Sequence, residues 1–379
     1  MSLVAKGNRL SALYTDLAAR RLGGQALSCS NDFFAEMENL LKAESPIFQP
    51  GVFTERGQLM DGWESRRRRF LPDGTSDDGL NFDWCIIKLG SQGIIRGINA
   101  NTAHFLGNAP QQVSLEACNI EGEPTNATEW TPLIDITSVN PGSDNLIEVP
   151  LIEKDGQIIS DKVWTHVRFN MFPDGGVARL NIYGEIVANQ NWFLKGEPLD
   201  LAYIKNGARP VACSDMFFSA PENVLMPERG ANMGDGWETK RRRSIGDIEV
   251  DRGNDWLILQ LATRGNIEKI LIDTCHFKGN YPNAFALEGA VLTSEQAANT
   301  AALTADSHLD ARFDKTGGQD ELGIEWTPII ERTALFADRE HTFKDEVTAK
   351  EQSFTHVRLK MFPDGGISRI RLWGFSAAL

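Results

Sequence analysis

No stretch of the 379 residues approaches the ~18 consecutive apolar residues of a membrane-spanning helix, and the opening Met1-Ser-Leu-Val-Ala-Lys6 lacks an apolar secretory core. A membrane span and export are therefore not expected, and a cytoplasmic location is. Positive charge is in deficit. Lys and Arg number 38 against 52 Asp and Glu, a net charge of -14 that repels a phosphate backbone over most of the surface. Nucleic acid is not an expected partner. Cysteine is sparse: Cys29, Cys85, Cys118, Cys213 and Cys275 are odd in number, scattered and without a CxxC pair, so they read as reduced thiols. Histidine is also scarce, at six residues, and no HxH, HExxH, GxSxG or P-loop pattern occurs. No cofactor is identified; a divalent metal is compatible with the composition, but no site for it can be assigned.

What the sequence does contain is itself, twice. Thr165-His-Val-Arg168 and Met171-Phe-Pro-Asp-Gly-Gly176 recur as Thr355-His-Val-Arg358 and Met361-Phe-Pro-Asp-Gly-Gly366, at a spacing of 355 - 165 = 190. With Arg179/Arg369 and Gly184/Gly374, 12 of the 20 positions from Thr165 to Gly184 are identical, too many for accident. Upstream, in the same order, Cys29-Ser30 pairs with Cys213-Ser214, Asp61-Gly-Trp-Glu64 with Asp235-Gly-Trp-Glu238, and Asp83-Trp84 with Asp255-Trp256. His104-Phe105 and Gly107-Asn108 pair with His276-Phe277 and Gly279-Asn280, and Glu129-Trp-Thr-Pro132 with Glu325-Trp-Thr-Pro328. A period of this length suits two complete domains rather than a solenoid. They are placed at residues 24–188 and 208–379, joined by a linker over 189–207. Residues 1–23 stand outside the repeat; Asn8 to Leu22, followed by Gly23, is expected to form one amphipathic helix with a glycine cap.

Within each half the hydrophobic period is two. Val167, Phe169 and Met171 alternate with His166, Arg168 and Asn170, a turn follows at Pro173-Asp-Gly-Gly176, and Leu180 and Ile182 resume the alternation. This predicts a β-hairpin. Other strands are expected at 84–89, 94–102 and 112–118, and at 256–261, 267–274 and 284–291. Short strands with little helical periodicity predict an all-β fold: tandem, duplicated jelly-roll β-sandwich domains with a short N-terminal helix.

The basic runs Arg66–Arg69 and Lys240–Arg243 offer guanidinium forks for a small anion, next to Glu64 and Glu238, although ion pairing within the fold explains them equally well. His104 and His276 follow predicted strands in Gly-Asn turns, where an imidazole serves acid–base chemistry or merely holds its turn. His166, Arg168 and Asn170 share one strand face, which is a substrate surface or simply the solvent side of a sheet. The paired tryptophans (Trp63/Trp237, Trp84/Trp256, Trp130/Trp326) read as core. His308 and His341 have no counterpart and are set aside.

Asp61-Gly-Trp-Glu-Ser-Arg-Arg-Arg-Arg69, Asp235-Gly-Trp-Glu-Thr-Lys-Arg-Arg-Arg243, Asp273-Thr-Cys-His-Phe-Lys-Gly-Asn280 and the two Met-Phe-Pro-Asp-Gly-Gly turns closely resemble the allantoicase family, over residues 24 to 376. That resemblance implies two galactose-binding-domain-like sandwiches and hydrolysis of allantoate to ureidoglycolate and urea. The implied substrate needs an anion binder and a proton donor, and the residues suited to those tasks suggest a site: His276 or Glu238 as proton donor and Asp273 as base. Arg242 and Arg358 would hold the substrate carboxylate, backbone around Gly279 and Asn280 a ureido oxygen, and Glu64, His104 and Arg168 would be the first-repeat counterparts. The first half departs from the second with Asn101 for Asp273, Ala103 for Cys275 and Leu106 for Lys278, so the second is the expected active half. The rival is a pair of non-catalytic ligand-binding or carbohydrate-binding modules, since jelly rolls often bind without reacting. The implied partner is the small molecule allantoate; assembly into a homo-oligomer is left open.

Overall fold

The computed structural model describes residues 9–70, 79–154, 156–188, 193, 196–242, 253–307 and 323–377. The first repeat contains β1 (Thr15–Asp16), β2 (Gln25–Cys29), β3 (Asp83–Asn101), β4 (Gln112–Cys118), β5 (Thr131–Ser138), β6 (Leu146–Glu148), β7 (Trp164–Phe172) and β8 (Arg179–Ile186). The second repeats this order as β9 (Leu199–Asp200), β10 (Arg209–Cys213), β11 (Asp255–Asp273), β12 (Ala284–Ala290), β13 (Thr327–Ala334), β14 (Glu340–Phe343), β15 (Phe354–Phe362) and β16 (Arg369–Ser376).

The two strands expected on each side of residue 91, and again of residue 263, are one continuous strand of 19 residues, whose burial alternation is interrupted at the middle where the strand changes partners. Its two halves serve different sheets. Residues 255–260 of β11 pair with β10 and β15, and residues 265–273 pair with β16 and β14. One sheet is thus β10-β11-β15-β12-β13 and the other β9-β16-β11-β14, all antiparallel, with the same arrangement about β3 in the first repeat. The bend brings backbones close together: a Cβ on Gly265 would stand 2.5 Å from the Phe375 carbonyl oxygen. Between the layers lie Ile87, Ile98, Leu115, Val167, Phe169 and Ile182 in the first repeat, and Leu257, Ile270, Phe285, Val357, Leu359 and Leu372 in the second, all fully buried. Each such side chain contributes roughly 1.5–3 kcal/mol by leaving water.

Three expectations are corrected. The hairpin at Pro173–Gly176 is an arch instead: β7 and β8 never pair with each other but flank opposite halves of β3, because the turn bonds outward. Gly176 pairs with Glu64, and its N–H donates to Asn108 O at 2.8 Å. Among the described residues the N-terminal helix covers only α1 (Arg9–Leu13) and not the stretch to Leu22; Asn8 lies outside the described residues. Thr15–Asp16 is extended on β8 because the Asp16 carboxylate accepts the N–H groups of Ala18 and Ile182. Gly23 does take the left-handed conformation, but as the cap of a 3-10 turn. In the segment assigned as a linker, Asp200 accepts from Ala202 and Leu372 in the same way, and β9 pairs with β16. The compact units accordingly run over 14–187, and over 1–13 with 188–379. A second helix, α2 (Ser294–Ser307), was not expected. Thr293 and Gln296 cap its start reciprocally, Gln296 N–H to Thr293 Oγ1 at 3.2 Å and Thr293 N–H to Gln296 Oε1 at 3.0 Å.

The basic runs close on the first residue of the long strands. Arg242 donates from Nε and Nη2 to Asp255 Oδ1 at 3.0 and 2.8 Å, and its backbone N–H binds Asp364 in the turn. Arg68 treats Asp83 and Asp174 in the same way. The expected anion clamp is therefore corrected: the Arg242 fork already holds a carboxylate, with the two side chains 12% and 3% exposed. Arg243 lies outside the described residues.

Removing one member of a buried ion pair leaves the other charge uncompensated. Arg242→Ala is expected to lower unfolding free energy by about 3–5 kcal/mol, and Arg242→Met with Asp255→Leu to recover most of it. Urea denaturation measures both; an unchanged midpoint for Arg242→Ala would show that the pair does not hold the turn.

Candidate active site

In each repeat the Pro-Asp-Gly-Gly turn follows the strand that flanks one end of the long strand and precedes the strand that flanks its other end. Met361 pairs with Asp255 and Arg369 with Asp273. Both ends of β11 therefore meet at one edge of the sandwich, and the chemistry-bearing loops meet with them. Glu238 pairs with Gly366, whose N–H donates to Asn280 O at 2.8 Å, while Asn280 Nδ2 donates to Glu238 Oε1 at 2.6 Å. Gly366 is required here, since a Cβ would lie 2.0 Å from the Phe277 ring. The first repeat reproduces the lock, with Asn108 donating to Glu64 at 2.8 Å; burial raises the Glu64 carboxyl and that hydrogen bond opposes it.

His276 has φ +72°, a left-handed conformation that throws its ring back over the preceding loop. Its Nε2 is 2.8 Å from Gly230 O. A carbonyl only accepts, so Nε2 carries the proton, and in the neutral tautomer with that bond the lone pair is at Nδ1. The backbone N–H of His276 donates to Asp338 Oδ1 at 2.7 Å, which holds that carboxyl below its usual range. His104 has the same backbone, φ +69°, with Nε2 at 3.1 Å from Pro46 O.

Around this shared frame the repeats diverge. Asp273 ends β11 almost fully buried and accepts from Arg229 Nε at 2.9 Å, Arg229 Nη2 at 3.2 Å and the Cys275 N–H at 2.9 Å. The Arg229 side chain is 50% exposed, and its pairing with Asp273 raises an already high pKa. Burial raises the Cys275 thiol, opposed by Arg229. Homologous hydrogen bonds fix the correspondences. Arg369 reaches Glu228 O as Arg179 reaches Glu44 O, so Arg229 stands where the first repeat has Ser45. Thr274 reaches Arg339 O as Thr102 reaches Ser143 O, so Asp338 stands where it has Gly142. Sequence reasoning missed both residues; the signal for Arg229 was a lone Arg facing Ser, and Asp338 sits at a positive φ of 53°.

The first repeat fills the equivalent place differently. Fifteen positions separate Pro46 from Asp61 (61 - 46), against five between Gly230 and Asp235 (235 - 230). From this insertion Phe48 stacks on His104 at 5.9 Å between ring centres. Other residues of the insertion line a cavity of about 570 Å³, with Phe34, Lys42, Ile47, Arg56, Met60 and Asp61 among its walls. The Asp61 carboxyl, raised by burial, is lowered more by Arg179, Lys42 and the Ile47 N–H, to about 2.

Of the remaining expected residues, Arg358 and Arg168 are not brought to this edge. Arg358 binds Glu288 at 2.6 Å beneath Trp326, and Arg168 binds Glu116 at 2.7 Å beneath Trp130, on the sheet face in both repeats; these expectations of carboxylate binding are corrected because both residues lie mid-strand, away from the loops that carry His276 and Glu238. Asp273, expected as a base, is occupied by Arg229. Gly279 has open space where a side chain would be, and its loop is exposed. His166 and His356 are buried, with Nδ1 2.9 Å from the preceding threonine hydroxyl. His341 bonds Ile272 O and the Phe336 N–H; His308 lies outside the described residues.

The allantoicase repeat profile matches residues 15–187 and 199–377. The chain is 38% identical over 362 residues to probable allantoicase 1 of Burkholderia mallei, covering 95% of this chain and 94% of that protein. It is 39% identical over 360 residues to a probable allantoicase of Acinetobacter baylyi, with 95% and 94% coverage. The crystal structure of allantoicase from Saccharomyces cerevisiae superposes with a TM-score of 0.73 at 31% identity, covering 98% of both chains.

Burial holds the His356 imidazole neutral, its pKa lowered from 6.5 to about 4, with Arg209 adding to the effect. Between those values the unfolded chain binds the proton and the fold does not, so stability is expected to fall as pH drops from 6.5 towards 4. His356→Gln should flatten that slope in denaturation series across the window; a slope equal to that of the wild type would remove His356 as its source.

Proposed function

The chain belongs to the allantoicase family, and from that premise we propose that it hydrolyses allantoate to ureidoglycolate and urea at the loop edge of the second repeat. The observation that carries the location is the asymmetry between the repeats. Arg229, Asp273, Cys275, Lys278 and Asp338 stand together around His276, where the first repeat offers Ser45, Asn101, Ala103, Leu106 and Gly142, and Phe48 covers His104.

Allantoate carries one carboxylate and two ureido groups on a single carbon; hydrolysis exchanges one carbon–nitrogen bond for a carbon–oxygen bond. Arg229, half exposed and kept rigid by Asp273, takes the carboxylate together with the exposed Lys278. Asp273 thus positions the anion binder rather than removing a proton. Glu238, oriented by Asn280, protonates the departing ureido nitrogen, and His276 takes a proton at Nδ1 from the water that replaces it. The released urea carries the Glu238 proton. The His276 proton returns to Glu238 through solvent, and the cycle closes. The backbone N–H of Gly279 faces a ureido oxygen.

The location we assign is cytoplasmic. All five cysteines are free, which suits a reducing compartment, and no helix among the described residues is long and apolar enough to cross a membrane.

Urea release from allantoate tests the assignment. His276→Ala and Glu238→Gln are each expected to lower turnover at least ~100-fold. Losses of that size from His104→Ala with His276→Ala near wild type would move the site to the first repeat, and wild-type protein inert towards allantoate would favour the binding-module reading.

A further inference from the structure

We propose that Cys275 Sγ, His276 Nδ1 and an Asp338 carboxylate oxygen form a three-ligand site for a divalent cation of the zinc class at the water-activating corner of the second repeat. The inference rests on the function assigned above and changes one step of it: with Nδ1 on the cation, the cation rather than the free imidazole activates the water.

Three observations converge. One donor atom from each of the three residues lies within 4.8 Å of the others. A tetrahedral centre with bonds of about 2.0–2.3 Å wants its donors about 3.5 Å apart, so side-chain rotations moving atoms by about 1 Å close the set. The histidine is also presented as a ligand should be. Its Nε2–H is fixed on the Gly230 carbonyl, which sets the tautomer and leaves the lone pair at Nδ1, and this outer partner is the one metal-bound imidazoles habitually have. The cysteine and the aspartate are held in turn. The Cys275 N–H is anchored on Asp273, itself clamped by Arg229, and Asp338 is anchored by the His276 N–H. Finally, the first repeat keeps the histidine geometry, with φ +69° and a carbonyl partner, but has Ala103 and Gly142 at the other two ligand positions. The shared fold requires the histidine turn; it does not require a thiol and a carboxylate beside it.

A sulfur, a nitrogen and one carboxylate oxygen suit a borderline-soft ion far better than magnesium or calcium. Three protein ligands leave the fourth position to water, the pattern of a catalytic rather than a structural site. Binding releases the thiol proton to solvent. The bound water gives up a proton to solvent and attacks the carbon; the carbon–nitrogen bond breaks as Glu238 protonates the departing urea nitrogen, and Glu238 regains a proton from solvent, so no redox partner is needed.

Cobalt(II), which replaces zinc in such sites and reports its ligands, is the probe. Chelator-treated full-length protein titrated with cobalt(II) should bind about one equivalent per chain and develop a thiolate-to-cobalt charge-transfer band. Cys275→Ser should abolish the band. Asp338→Asn should weaken cobalt binding by at least ~10-fold, as losses around metal sites do. Near-ultraviolet circular dichroism shows whether each variant is folded, and Cys118→Ser, buried in the other repeat, should leave the band intact. No stoichiometric cobalt, or a band that survives Cys275→Ser, overturns the proposal. Urea release is read separately: activity that persists in chelated protein binding no cobalt ends the cation site and leaves the allantoate assignment standing, whereas a stoichiometric thiolate–cobalt site in protein inert to allantoate supports the site and ends the assignment.

Discussion

Everything at the candidate site depends on one strand belonging to two sheets. Because β11 gives its first half to one layer and its second half to the other, Asp255 and Asp273 finish at the same edge of the sandwich, joined by the turn between β15 and β16. The turn can sit there only because Gly366 lets the Phe277 ring lie against it, and because Asn280 ties both Gly366 and Glu238 to the loop that carries His276. Packing and site are thus one construction: the lock that closes the sandwich edge also sets the spacing between a carboxylate and an imidazole.

Duplication made that construction twice, and the two copies have gone different ways. The invariant parts are those that hold the edge together: the Arg–Asp pairs at the strand starts, the buried Arg179 and Arg369, the asparagine–glutamate bonds and the histidine with its backbone partner. The variable parts are those that surround the histidine. In the second repeat they are cationic, acidic and thiol side chains; in the first they are small residues and an aromatic lid. A fold that needs only the frame leaves one copy free to lose its chemistry.

The sequence carried the frame plainly. Period-two alternation and the repeated motifs were enough for a tandem β-sandwich, and Glu238, His276 and Asn280 were singled out because they recur. Recurrence, however, cannot separate a residue kept for the fold from one kept for the reaction, which is why Arg242, Arg358 and Arg168 looked like anion binders when each already holds a carboxylate. Arg229 and Asp338 were invisible for the opposite reason: they occupy positions where the repeats differ, and only hydrogen bonds made across more than forty residues bring them to His276 and Asp273. The Pro-Asp-Gly-Gly turn was misread as a hairpin because local pattern does not say which of two sheets a strand will join.

The central claim is a location, and a crystal structure with an unreactive allantoate analogue tests it most directly. The account predicts the analogue carboxylate against Arg229 and a ureido group between His276 and Glu238 in the second repeat. An analogue seated under the Phe48 insertion of the first repeat, with the second-repeat edge bare, would contradict it.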